Sequence, residues 1–231
     1  MYFHRLKFGN AVFFSIGENC LADNILARNK LKSFSTPYSS GRSNIEYVLS
    51  FEKDNFSDLL NAQYLQQQFV DGKNVVRNNK YLATTNRYNP ICVNGLEFTH
   101  HDVINDKASI KRIKKRCKRQ LSLHNKKITM LYHHRYCENT DEQLMMEHLQ
   151  QLKNIYVNRG NKVRIFVFSQ VLVSSKNERK VVMEKSSNDK DIYFYKFYTL
   201  HLWEGKDENV FWARCDDDLL LAMIKDIKQA K

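Results

Sequence analysis

Cys20 closes the run Ser15-Ile16-Gly17-Glu18-Asn19-Cys20, which joins a short apolar segment to a stretch with helical periodicity. Sulfur at such a junction has a definite chemistry open to it. The free N–H groups and positive end of a helix favour thiolate over thiol, and thiolate attacks carbonyl carbon. Gly17 permits a tight turn and close backbone approach. The amides around Gly17, Asn19 and Cys20, or the Asn19 carboxamide, are placed to hold the oxyanion that an attack creates. The alternative is structural, a small cysteine packed in a strand-to-helix turn.

A thiol nucleophile needs a base, and imidazole is the usual one. His100 and His101 stand side by side before Asp102. On extended backbone adjacent side chains point opposite ways, so one of the pair at most faces a given site. His133-His134-Arg135 follows the apolar run Ile128–Tyr132, and Arg135, with His134, suits binding of a carboxylate or phosphate. His201 follows the last apolar segment, where a hydrolase of the SGNH type keeps its base. Neither histidine pair has the i, i+4 spacing of two metal ligands on one helix face, no H-E-x-x-H occurs, and the reading assigns no metal. With no Walker loop and no G-x-G-x-x-G, no cofactor is expected either.

The positioning elements alternate in type. Val12–Ile16, Ile128–Tyr132, Val163–Phe168 and Ile192–Phe197 read as buried strands. Leu21–Lys30, Ser43–Leu49 (with Ser43 as cap), Asn55–Leu60, residues 107–123 and Asp141–Tyr156 read as helices. Asp216–Asp218 opens a last helix, and 174–190 reads as a polar loop. Asn94-Gly95, between Ile91–Val93 and Leu96–Phe98, signals a hairpin. Strand–helix alternation predicts a single three-layer α/β domain over residues 1–231, flavodoxin- or SGNH-like. It has a mostly parallel sheet, helices on both faces and an inserted hairpin region near 65–98. Ligands of such sheets bind beyond the carboxyl ends of the strands, which returns attention to Cys20.

The 231 residues are 42% hydrophobic and 12% aromatic, with seven Gly and two Pro, enough for a sizeable core and unlike a disordered or linker-rich chain. Five widely spaced cysteines suit free thiols in a reduced compartment. No apolar run is long enough to span a bilayer. The basic stretch Met1–Lys7 lacks a following apolar segment and cleavage site, so a cytoplasmic location is expected. Nine of the cations behind the net charge of +12 fall between Lys111 and Lys127, in a stretch without acids. Ile110, Ile113, Cys117 and Leu121 give that stretch a buried side, so it reads as an amphipathic helix with a basic outer face. Such a face is either simply solvated or binds phosphate, nucleic acid or an acidic glycan.

The first motif, followed by Leu31-Lys32-Ser33-Phe34-Ser35-Thr36-Pro37-Tyr38, resembles a bacterial family of unknown function described as papain-like cysteine peptidases. Its members share S-[LI]-G-x-N-C, a short helix, a leucine–basic pair and S-x-P-[FY]. Asn55–Leu60 is similar to the family's F-x-D-[FL]-L, Gly95–Asp102 to its F-x-H-D, and the basic helix to its Arg-rich helix. Trp203–Asp207 with Trp212 resembles its closing tryptophan pair, so the resemblance covers most of the chain. It implies Cys20 as nucleophile and His101 as base, with Asp102 beside it and His100 as the close alternative. It also sets Ser35 and Tyr38 beside the substrate. One departure stands out. The family continues S-x-P-F with Asp-Trp, whereas Ser39-Ser40 follows Tyr38, which implies a difference in specificity or activity.

Two classes of function follow. In the first, Cys20 attacks an ester, amide or thioester of a peptide or glycan, and His101 takes and returns the proton. Water completes a hydrolase, and a sugar hydroxyl completes a glycan acyltransferase of SGNH-like type. Papain itself pairs a Cys-bearing helix with a separate β-domain, which the regular alternation here does not suggest. In the second, the chain is a non-catalytic module that holds an anionic polymer on residues 111–127.

Overall fold

Apolar residues on both sides of the strands require cover on both faces of the sheet. The computed structural model describes residues 11–82, 87–185 and 189–229, so the basic N-terminal stretch lies outside the described residues. Strands β1 (Ala11–Ser15), β5 (Lys127–His133), β6 (Lys162–Leu172) and β8 (Ile192–Thr199) pair in parallel. β7 (Lys180–Lys185) adds an antiparallel edge, giving the order β1-β5-β6-β8-β7.

Side chains alternate between two cores. Phe13, Leu131, Phe166, Phe168, Tyr195 and Phe197 pack with α1 (Cys20–Arg28) and α6 (Asp217–Gln229). Phe14, Met130, Ile165, Val167 and Phe194 pack with α2 (Ile45–Lys53), α3 (Lys107–Leu121) and α4 (Glu142–Val157). The result is a three-layer α/β fold. Trp203, in the loop after β8, is buried against Phe168 and Phe197 and donates its indole N–H to Asp216. No helix among the described residues is long and apolar enough to cross a membrane.

Between α2 and α3 lies an antiparallel sheet of β2 (Leu65–Val70), β3 (Lys73–Asn78) and β4 (Leu96–Phe98). Its hairpin turns at Asp71-Gly72, both at positive φ, and not at Asn94-Gly95. Residues Pro90–Cys92 form a short 3-10 turn. Gly95, at φ +84°, instead lays β4 onto β3, where a Cβ would overlap the Asn78 carbonyl.

Three other expectations change. Asn44, not Ser43, caps α2, its carboxamide oxygen accepting from the Tyr47 amide. Residues 55–60 are turns and not a helix, because Asn55 and Phe56 adopt left-handed φ and swing the chain off the end of α2. The polar segment 174–190 holds β7, whose outer side chains are largely exposed. The basic helix forms as expected, capped by Asp106 and burying Ser109, Ile113, Cys117 and Gln120.

Glu52 is buried where α2, α3 and α4 meet. Its Oε1 accepts from Gln120 Nε2 (2.5 Å) and Tyr156 Oη (2.7 Å). Burial outweighs these bonds and pushes its carboxyl up to about 7. The folded chain then holds a proton that the unfolded chain has lost, so stability falls as pH rises from ordinary carboxylate values through 7. Glu52→Gln keeps the acceptor without the charge. Urea unfolding should show it more stable than wild type by roughly 1–3 kcal/mol at about pH 8, with no gain near pH 5.

Candidate active site

The β1–α1 turn is stitched to the end of β5. The Ile16 amide donates to Leu131 O, the His133 amide to Gly17 O, and the Glu18 amide to His133 O, each at 3.0 Å. Gly17 sits at φ +114°, and the Ser43 hydroxyl occupies the space a Cβ would need. Glu18 has no exposed surface. Its carboxylate accepts from Tyr132 Oη (2.9 Å), His134 Nδ1 (2.9 Å) and the Arg135 amide (2.8 Å). A buried carboxylate is tolerable only when its oxygens are satisfied in this way.

Asn19 caps α1. Its Oδ1 accepts from the Leu21 amide (3.0 Å) and lies 3.4 Å from His133 Nδ1, which must therefore carry the proton. The His133 ring stacks on Phe168, and burial, then Arg135, holds its proton affinity well below the usual range. Cys20 is the first residue of α1 and is half-buried. Among the described residues no imidazole nitrogen is hydrogen-bonded to its sulfur. Burial pushes the thiol up, and the carboxylate of Asp23 adds to this. The thiol's own amide, Arg135 and Arg42 pull it back less. The expectation of a resting thiolate is thus corrected: desolvation outweighs the helix end.

Beside α1, residues 36–43 form a wall. Thr36 Oγ1 donates to Ser15 O (2.9 Å), and Ser15 Oγ donates to Asp23 (3.1 Å), which Lys32 also grips at 2.5 Å. Arg116 Nη1 reaches over from α3 to Thr36 O (3.2 Å) and Ser40 Oγ (3.3 Å). The Ser43 amide donates to Glu18 O (2.7 Å). His101 follows β4 and is only 7% exposed. Both of its ring nitrogens are buried, and neither has a hydrogen-bond partner among the described residues. Burial, then the charges of Arg116 and Arg112, pushes its imidazole down to about 4. Asp23 acts on both Cys20 and Arg116, and Arg116 acts on His101, so the charges of Asp23 and Arg116 link the two electrostatically.

Other expected site residues stand elsewhere. Asp102 does not orient an imidazole, because its carboxylate is spent on the amides of Ile104 and Asn105. His100 is exposed. Tyr38 is a core residue, with its hydroxyl on Val48 O, and cannot line a substrate site. Ser35 is half-buried next to the wall. His134 is held by Glu18 and Thr140. Arg135 is engaged by Glu204 (3.3 Å) and Trp203 O (3.2 Å), so it shapes a cavity of about 60 Å³ instead of offering a free guanidinium. His201 is exposed. Of the turn's amides the Glu18 N–H is spent on His133 O and the Cys20 N–H acts on its own sulfur, which leaves those of Gly17 and Asn19, with Asn19 Nδ2, for an oxyanion. Sequence reasoning missed Glu18 and Arg116. An acid between Gly17 and Asn19, with no surface role, was the available signal for Glu18; nothing set Arg116 apart from its basic neighbours.

These charges predict a pH profile. The rate of Cys20 alkylation by iodoacetamide, followed by peptide mass spectrometry, should keep rising past the ordinary thiol range. A preformed thiolate–imidazolium pair would give a rate flat down to about pH 6.

No curated protein and no solved structure matches the chain. A family model does match residues 11–177, from the first residue of β1 to the segment before β7. It takes in Cys20, His101 and α3, and stops short of the tryptophan pair. With the Ser15–Cys20 motif set at the carboxyl edge of the sheet, the chain belongs to the family whose description reads "Putative papain-like cysteine peptidase (DUF1796)".

Proposed function

We propose that the protein is a cysteine-dependent hydrolase of peptide or related acyl substrates, with Cys20 as nucleophile and His101 as general base. One observation carries this reading. A half-buried thiol opens a helix at the carboxyl edge of a parallel sheet, and the segment after β4 supplies a buried imidazole with both nitrogens uncommitted. Both groups are neutral at rest, the protonation states from which general-base catalysis starts. In apo sites such pairs are often apart and close only around substrate.

The steps balance as follows. His101 takes the Cys20 proton while Sγ bonds to the substrate carbonyl carbon. The amides of Gly17 and Asn19, with Asn19 Nδ2, none with a protein acceptor among the described residues, receive the oxyanion. Collapse breaks the bond to the leaving group, which departs with the His101 proton. Water, deprotonated by His101, then attacks the thioester. The S–C bond breaks, the acid leaves and the thiol regains its proton.

An activated acyl ester tests this. Wild type should gain one acyl mass on the Cys20 peptide and turn over, and Cys20→Ala should do neither. His101→Asn should lower turnover by about 10²–10⁴-fold with circular dichroism unchanged. Acylation spread evenly over Cys20, Cys137 and Cys215, or turnover surviving Cys20→Ala, overturns the assignment. Because a base works when deprotonated, kcat/KM should hold on the acid side until pH approaches 4.

A further inference from the structure

Arg116 is half-buried and forms no ion pair among the described residues, whereas Arg28, Arg77, Arg135 and Arg179 each meet a carboxylate. The nearby acids are already used. Asp23 is held by Lys32 and Ser15, and Asp106 by the first amides of α3. Arg112 lies one helical turn before Arg116, on the same face. Arg116 holds Ser40, two residues from the Arg42–Glu97 bridge in the strand that leads to His101, and His101 keeps two buried nitrogens without partners. Arg116 spends Nη1 on the neutral acceptors Thr36 O and Ser40 Oγ, so its charge stays unpaired; a partly buried unpaired cation and an unsatisfied imidazole are both costly, and one ligand relieves both.

We infer that the substrate of this site carries a phosphate group, bound by the Arg116 and Arg112 guanidiniums with a hydrogen bond from His101. The inference rests on the Cys20 reading and extends it to the substrate class. Guanidinium forks match phosphate oxygens in pairs, and two of them suit a dianion better than a single carboxylate. Arg112 is exposed on α3 as Lys114 and Lys115 are, but unlike them it is among the charges that act on His101. Binding has a further consequence. The charged groups acting on His101 are Arg116, Arg112, His100 and Asp106. A phosphate that neutralises the two arginines strengthens His101 as a base when substrate is present.

Inorganic pyrophosphate is the probe, titrated calorimetrically into the full chain at fixed ionic strength. We expect saturable binding that weakens at least about tenfold in Arg116→Gln, recovers partly in Arg116→Lys, and is unchanged in Lys114→Gln/Lys115→Gln and in Cys20→Ser. The His101 ring resonances should titrate at higher pH with pyrophosphate than without it. Binding unchanged in Arg116→Gln, or lost equally in the lysine variant, overturns the inference, and malonate binding as tightly as pyrophosphate overturns the phosphate assignment. Partial recovery in Arg116→Lys separates lost recognition from lost folding. Cys20 reactivity toward the acyl ester is read on separate samples, so its failure falls on the catalytic reading and not on this site.

Discussion

The buried carboxylate of Glu18 is the constraint on which the site depends. It ties the turn that carries Cys20 to the end of β5 and the residues that follow it, through the Tyr132 hydroxyl, the His134 ring and the Arg135 amide. The Glu18 carbonyl also takes the Ser43 amide, so the wall opposite α1 hangs from the same residue. Removing one partner from such a cluster leaves a buried group uncompensated and costs several kcal/mol, on the order of 3–5. Gly17 answers the same requirement, since only a residue without Cβ brings the turn against Ser43.

The electrostatics around that turn are lopsided. Arg135 and Arg42 act on the Cys20 thiol, Arg135 on the His133 ring, and Arg116 and Arg112 on the His101 ring, and burial keeps all three groups uncharged. A resting thiolate–imidazolium pair would place a second set of charges in this low-dielectric region. The fold instead stores positive charge in guanidiniums and leaves the Cys20 thiol and the two rings neutral. The description papain-like therefore fits the cysteine at a helix start, while the parallel three-layer sheet is a different support for it.

Much of this was legible in the sequence, for identifiable reasons. Apolar runs bounded by polar turns located the parallel strands, and the spacing of Ile113 and Cys117 located α3. Asn94-Gly95 misled because a local turn signal does not specify which strand the turn meets; here β4 meets β3 across a long intervening segment. Ser43 and Asn44 are both good caps, and tertiary contacts chose between them: Asn44 also donates to Cys92 O. The thiol's protonation was not legible, because helix position is local whereas desolvation depends on the tertiary packing around it. Tyr38 and Asp102 illustrate the same limit. Sequence adjacency marked both, but packing turned one into the core and the other onto its own turn.

The central claim is that Cys20 and His101 act on one carbonyl. A crystal structure of the protein trapped with a small peptide aldehyde tests it most directly. The account predicts a thiohemiacetal on Cys20 Sγ, its oxygen toward Asn19 Nδ2, and a His101 nitrogen within hydrogen-bond reach, about 3 Å, of the adduct. An adduct on Cys20 approached by His133 or by no imidazole, or a chain left unmodified at Cys20, would contradict it.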